Sequence, residues 1–361
     1  MPPNSSLPAA RLIRRLALAG VLLGCVVVVL GAYVRLTDAG LGCPDWPGCY
    51  GHLTPLGAAH EAAGSLASTS LDVGKAWREM IHRYAASTLG LIIVVITALA
   101  IVMRRERLVR VPDTLALLTL VVLQGALGML TVTWRLTPLI VTLHLLFGLT
   151  TVSLLFWLWL SLRARRAPLV PHRFAPAERT ARRLATLAVL VLAAQIALGG
   201  WTSSNYAAIA CPDLPTCQGS WWPSMDFRDA FELWRAPAVN YEGGVLGSTA
   251  RVAIHFTHRL GALVTTLVLL VACSAVLRLR SLAYAGRAAY VVLLALGVQL
   301  TIGLTMVHFA FPLPLATAHN VGALLTLLAV LTMRHRLGEL EMRPEFEVPP
   351  ERALRQATGA S

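Results

Sequence analysis

The chain has 361 residues, of which 56% are hydrophobic and 14% charged, and its mean hydropathy is +0.66. A soluble globular protein carries about 25% charged residues, so this composition excludes a soluble fold and places the chain in a membrane. The formal net charge of +13 lies in arginine clusters between apolar stretches, not on one tail or face, which excludes a nucleic-acid partner.

A hydrocarbon core about 30 Å thick needs about 20 apolar residues per helix. In chain order, eight stretches meet that requirement: 16–34, 84–103, 114–134, 139–162, 184–201, 252–277, 288–309 and 314–333. The expected fold class is an all-α integral membrane protein of eight transmembrane helices. No small-residue cleavage site follows the first apolar run, so that run is expected to stay in the membrane. Arginines fall at Arg11, Arg14 and Arg15, at Arg104, Arg105, Arg107 and Arg110, at seven positions from Arg163 to Arg183, at Arg278, Arg280 and Arg287, and at Arg334 and Arg336. These clusters occupy every second loop and the ends. By the positive-inside rule both termini are cytoplasmic, and loops 35–80, 134–138, 202–250 and 310–314 face outward. The basic segments also favour anionic membrane lipid.

The chain reads as two copies of one unit. Gly31-Ala32-Tyr33 leads after twelve residues to Cys43-Pro44-Asp45-Trp46-Pro47-Gly48-Cys49, and Gly199-Gly200-Trp201 leads after twelve to Cys211-Pro212-Asp213-Leu214-Pro215-Thr216-Cys217. Ile81-His82-Arg83 matches Thr257-His258-Arg259, and Gln124 through Gly128 matches Gln299 through Gly303. Leu214 in place of Trp46 blurs the match. Four spans per copy bring the second copy into the membrane in the same direction as the first. This implies two tandem four-helix bundles related by a pseudo-two-fold axis along the membrane normal. The expected division is an N-terminal unit over 1–162, a basic linker over 163–183, a C-terminal unit over 184–336, and a disordered tail over 337–361 rich in Pro, Glu and Arg.

Four histidines occupy matched places in this repeat: His82 and His144, 62 residues apart (144 − 82), and His258 and His319, 61 apart (319 − 258). An ionisable residue within a span is costly and usually has a partner or a task. The topology sets all four at one depth, with His82 and His258 beginning spans two and six and the others a few residues into spans four and eight. Spans two and four can face each other, so two imidazoles can approach one porphyrin iron from opposite sides. The blander alternative is four buried histidines bonded to carbonyls. Copper or zinc is a poor match for two histidines without a carboxylate or thiolate. Arg83 and Arg259 follow two of the histidines and are candidates to pair with porphyrin propionates, or to snorkel to headgroups. His255 shares a helix face with His258. His52, His60 and His308 carry weaker signals, and His172 and His335 fall in basic segments expected to be solvated.

Six cysteines are present. Cys25 and Cys273 sit singly in spans as packing residues. Cys43 with Cys49, and Cys211 with Cys217, form two C-x5-C pairs in outward loops, where the compartment is oxidising. A structural disulfide and a redox-active pair both remain open. Two thiols per loop are too few for zinc. Glu79 lies three residues before His82 on the same helix face, where the second half has His255. The two halves thus match in their histidines and differ in one acid, which is placed either for proton transfer beside an iron or for an ion pair with Arg78 or Arg83.

With Glu79-Met80-Ile81-His82-Arg83 forming E-x-x-H-R, the C-P-D-W-P loop, the second H-R and the four matched histidines, residues from about 15 to 335 resemble the heme A synthase (CtaA) family. The resemblance implies oxidation of the C8 methyl group of heme O to the formyl group of heme A, for terminal oxidase assembly. It implies Glu79 as catalytic residue, His82 and His144 around the substrate heme O, and a resident heme b held by His258 and His319. It also implies a disulfide in each long outer loop, as in bacterial members, and location in the bacterial inner membrane. The partners implied are a heme O synthase that supplies substrate and an electron donor; self-association stays open. The competing reading is a diheme electron-transfer cytochrome b, which explains the histidines but not an acid in one half only.

Overall fold

The computed structural model describes residues 6–57, 72–106, 109–164, 175–236, 239–279 and 283–339. Eight of its helices are long and apolar enough to cross a membrane. They are α1 (Ser6–Leu36), α2 (Val73–Val102), α3 (Val111–Thr133), α4 (Pro138–Ala164), α5 (Pro176–Ser204), α6 (Ser248–Leu277), α7 (Ala283–His308) and α8 (Leu313–Glu339). The chain is therefore an all-α multi-pass membrane protein. Among the described residues the only β pairings are the isolated bridges Cys49–His52 and Cys217–Ser220.

The helices run past the apolar stretches that announced them. α2 begins at Val73, not near 84, because Asp72 caps it by accepting the Lys75 N–H at 2.9 Å. Lys75, Arg78, Glu79, His82 and Arg83 break the apolar run but not the helix. His82 is consequently not at a helix start. It lies nine residues past Val73 (82 − 73) and His258 ten past Ser248 (258 − 248), or about 14 and 15 Å along their axes. The expected linker is partly helical, since α5 opens at Pro176. α8 continues through Glu339, so Leu337, which is buried, belongs to the bundle and not to a tail. His60, His172, residues 165–174 of the linker and residues 340–361 of the tail lie outside the described residues.

Within the first half α1 packs on α2, α2 on α3, α3 on α4 and α4 on α1, and α5 to α8 close on themselves in the same order. The two closed sets meet through α1 against α8, α4 against α5, and α4 against α8. Exchanging α1 with α5 and α4 with α8 leaves these pairings unchanged, as a two-fold repeat requires. Small residues allow close approach: a Cβ on Gly24 would come within 2.8 Å of Val152 on α4, and one on Gly200 within 2.9 Å of Leu145. Residues with left-handed backbone recur at fixed offsets, Asp38 with Tyr206 and Tyr50 with Gln218 (168 residues), Arg135 with Ala310 and Leu136 with Phe311 (175 residues). The two cysteine loops therefore share a backbone course even where Leu214 stands in for Trp46.

The loop after α5 reaches over the first half. Arg35 donates to the Ser203 carbonyl at 2.6 Å and stacks on the Tyr206 ring at 4.0 Å, and the Tyr206 hydroxyl donates to Asp38 at 2.8 Å. Lys75 pairs with Glu242 at 3.6 Å, and Trp234 meets Trp134 edge to face at 5.9 Å.

Candidate functional site

Each of the four histidines rests on a glycine of the neighbouring helix. A Cβ on Gly31 (α1) would lie 2.9 Å from Cε1 of His82 (α2), and one on Gly128 (α3) 3.3 Å from Cε1 of His144 (α4). In the second half Gly199 (α5) backs His258 (α6), and Gly303 (α7) backs His319 (α8), both at 3.2 Å. These are the glycines that marked the repeat in the sequence. They leave room for the imidazoles: a Cβ on Gly31 would force His82 to move, and one on the other three would crowd the ring by a few tenths of an ångström.

The histidines of the first half face each other. The His82 and His144 ring centroids are 6.5 Å apart with planes at 75°. An iron between two imidazoles needs roughly 6 Å, from about 2 Å per metal–nitrogen bond and about 1 Å from each nitrogen to its ring centre. The buried Nδ1 atoms of both rings lack a protein partner, as do the Oε1 atoms of Gln124, Gln195 and Gln299. Unsatisfied buried polar atoms of this kind call for an explanation, and here they cluster on the histidine pairs. Among the described residues no three His, Cys, Asp or Glu come together as a bare-metal site. A porphyrin brings its own four nitrogens and asks the protein for two, so the residues of the first half fit a heme, and the second half repeats their types and their backing glycines.

The glutamines were half visible in the sequence. Gln124 donates to the His144 carbonyl at 2.9 Å and Gln299 to the His319 carbonyl at 3.1 Å, so the repeated twenty-residue spacing joins each glutamine to its histidine. Gln195 does the same for His258, at 3.0 Å to its carbonyl and 3.1 Å from its Nδ1. Sequence reasoning missed Gln195, because four residues before Gly31 the first half has Val27 and the repeat is silent there.

Glu79 is 4% exposed and holds the first cysteine loop. It accepts the Cys43 N–H at 2.9 Å and the Arg83 guanidinium at 2.5 Å. Arg83 in turn donates to the carbonyls of Asp45, Pro47 and Gly48 at 3.0, 3.2 and 2.6 Å. Arg259 repeats this grip, donating to Thr216 O at 2.8 Å and Cys211 O at 2.7 Å, with its buried Nε unpartnered. The position of Glu79 is taken by His255, 4% exposed, whose Nδ1 lies 3.2 Å from the Ala207 carbonyl. Each loop is closed by a disulfide, Cys43–Cys49 with Cα atoms 4.8 Å apart and Cys211–Cys217 with 4.7 Å. Asp213 braces the second loop by accepting from the Thr216 hydroxyl and the N–H groups of Gly219 and Gln218, which hold its carboxyl down at about 2.

Of the weaker histidines, His335 is not solvated. It is 7% exposed, with its ring edge on Trp157 at 4.9 Å. His308 sits exposed at the end of α7 against Phe309, and the His52 backbone bridges to Cys49.

The family model described as COX15-CtaA, cytochrome oxidase assembly protein, matches residues 14–331. The chain belongs to this family. It is similar to the heme A synthase of Shewanella oneidensis, with 41% identity covering 86% of this chain and 92% of that protein. The heme A synthase of Methylobacterium radiotolerans is 32% identical, covering 85% and 84%. That of a Chelativorans species is 29% identical, covering 83% and 84%. The COX15-CtaA match spans all eight helices and both cysteine loops.

Proposed function

We propose that this chain is a heme A synthase, an oxidoreductase that converts the C8 methyl group of heme O to the formyl group of heme A for terminal oxidase assembly. One observation carries the reading. Both halves present a pair of glycine-backed histidines, and among the described residues only the first adds a buried acid, Glu79, one helical turn from His82. In this reading His82 and His144 frame the substrate heme O, and His258 and His319 hold a resident heme b. When bound, that heme supplies one-electron redox chemistry.

The protein's part is placement and proton handling. Gly31, Gly128, Gly199 and Gly303 set how far each imidazole stands from its neighbour helix. The glutamines fix the helix carbonyls beside the rings. Among the described residues Glu79 is the buried acid beside the first histidine pair and would handle a proton during the oxidation, while Arg83 and the Cys43 N–H hold its carboxyl in place. Arg259, whose buried Nε lacks a partner, is assigned to a porphyrin propionate, and Arg83 to the equivalent place in the first half. The arginine clusters support the bacterial inner membrane with both termini cytoplasmic and the cysteine loops outside. The partners are a heme O synthase and an electron donor.

Heme extracted from cells that co-express the chain with a heme O synthase tests the reading. Heme A in the extract is the expected result. Heme O alone, from a protein that still carries bound heme, would favour the electron-transfer cytochrome and overturn the proposal.

A further inference from the structure

At the end of the bundle remote from the histidines, α5 and α8 border an open groove of about 530 Å³. Arg179, Arg183 and Arg334 line it at one level, and Thr186, Leu187 and Leu190 at the next. On α5 these positions recur every three to four residues and so form one stripe. Arg183 is sixteen residues from Gly199 (199 − 183), about 24 Å along the axis, so the groove is separate from the heme sites.

α5 has 29 residues, about 43 Å, against a hydrocarbon thickness of about 30 Å. Its charged turns, Arg179 to Arg183, therefore stand at headgroup depth, and its apolar run starts at Leu184. Leu187 and Leu190 are 44% and 63% exposed, on a surface that faces acyl chains. Arg334 donates from Nε to the Thr186 hydroxyl at 2.8 Å, which fixes a guanidinium at the boundary of the two zones. Arg182 adds a fourth guanidinium to the lining. The acid of this turn, Glu178, caps its own helix by accepting the Ala175 N–H at 3.0 Å. Among the described residues that line the groove there are four guanidiniums and no carboxylate.

We propose that this groove binds an anionic phospholipid with two phosphodiesters, of the cardiolipin class, its phosphates among Arg179, Arg183 and Arg334 and an acyl chain along Leu187 and Leu190. Guanidiniums take phosphodiester oxygens in pairs, and four of them match two such groups. A basic pocket between spans is the form such recognition takes in membranes. A soluble phosphate would use the arginines but gain nothing from an apolar wall at acyl depth.

The test is native mass spectrometry of the full heme-loaded chain in detergent, titrated with tetraoleoyl cardiolipin, phosphatidylcholine or pyrophosphate. Cardiolipin is expected to bind and phosphatidylcholine not to. Arg179→Gln/Arg183→Gln/Arg334→Gln should weaken cardiolipin about tenfold or more, while Arg11→Gln/Arg14→Gln/Arg15→Gln, with the same charge loss, should leave it unchanged. An equal loss in both variants, or none in the first, overturns the site. Leu187→Ser/Leu190→Ser keeps every charge and should also weaken cardiolipin, which serves if the arginine variant does not fold. Pyrophosphate competing as well as cardiolipin, with no effect of the leucine changes, would assign the groove to a soluble phosphate and overturn the lipid.

Discussion

Glu79 has two partners that pull in the same direction and one position that its repeat copy lacks. Its carboxylate fixes the Cys43 loop and, one turn on, stands beside His82. Glu79→Gln keeps the shape and can still accept the Cys43 N–H, but cannot carry a charge or exchange a proton in the same way. We expect this variant to keep its second-half heme and to make at least tenfold less heme A, with heme O or a partly oxidised alcohol accumulating in extracts. Glu79→Asp should fall between. A normal yield of heme A from Glu79→Gln would remove the residue from the chemistry. The glycines make a second prediction at this scale. Gly199→Ala puts a Cβ 3.2 Å from Cε1 of His258, tight enough to push the imidazole off its position by a few tenths of an ångström. The low-spin heme b absorbance per protein should drop sharply. Gly31→Ala, beside His82, should leave that absorbance in place and impair only the product yield.

The histidines, the cysteine pairs and Glu79 were legible in the sequence because each is a residue type that a membrane span or an outer loop rarely carries without a reason. Three things were not legible. Gln195 breaks the repeat, so comparison of the halves passed over it. The grip of Arg83 and Arg259 is on backbone carbonyls, which no sequence pattern displays. The start of α2 lies eleven residues before its apolar run (84 − 73), because a cap and polar residues at headgroup depth make helix without making hydropathy.

At the scale of elements, the cysteine loops are small closed rings clamped to the helices that carry the first histidine of each pair. Chain entropy gives each disulfide a stabilisation of about 2 kcal/mol for so short a loop. Cys211→Ser/Cys217→Ser should lower thermal stability by about that amount, read from the unfolding of the purified protein. Loss of nothing measurable would mean that Arg259 and Asp213 hold the loop without the disulfide. The second loop also predicts a pH response. Asp213 is held at about 2 in the folded loop against an ordinary 3.8. A depressed carboxyl contributes its stabilisation fully above the unfolded value and loses it as pH falls through the folded one. The native loop should therefore lose this stabilisation progressively as pH falls from about 3.8 to about 2. Asp213→Asn should abolish that window. Proteolysis of the loop at graded pH reads both.

For the whole molecule, the two closed sets of four helices would, on the proposed reading, each hold one heme, so damage to one should spare the other. His258→Ala or His319→Ala should remove most of the bound heme b spectrum from purified protein, whereas His82→Ala should leave it. An unchanged spectrum in both second-half variants would sink the assignment of the resident heme to that half.

The contacts between the sets, α1 with α8, α4 with α5 and α4 with α8, have a further consequence. An interface of this kind is self-complementary, the sort by which two identical subunits form a dimer. A dimer of separate chains would carry the acid of Glu79 in both subunits or in neither, and could not pair an oxidising site with a plain relay. Fusion into one polypeptide breaks that constraint. Each copy can then drift alone, with Val27 here and Gln195 there, Glu79 here and His255 there, while the shared surface goes on holding them in register. On the proposed reading, division of labour between the halves is thus a property of the covalent joint between α4 and α5.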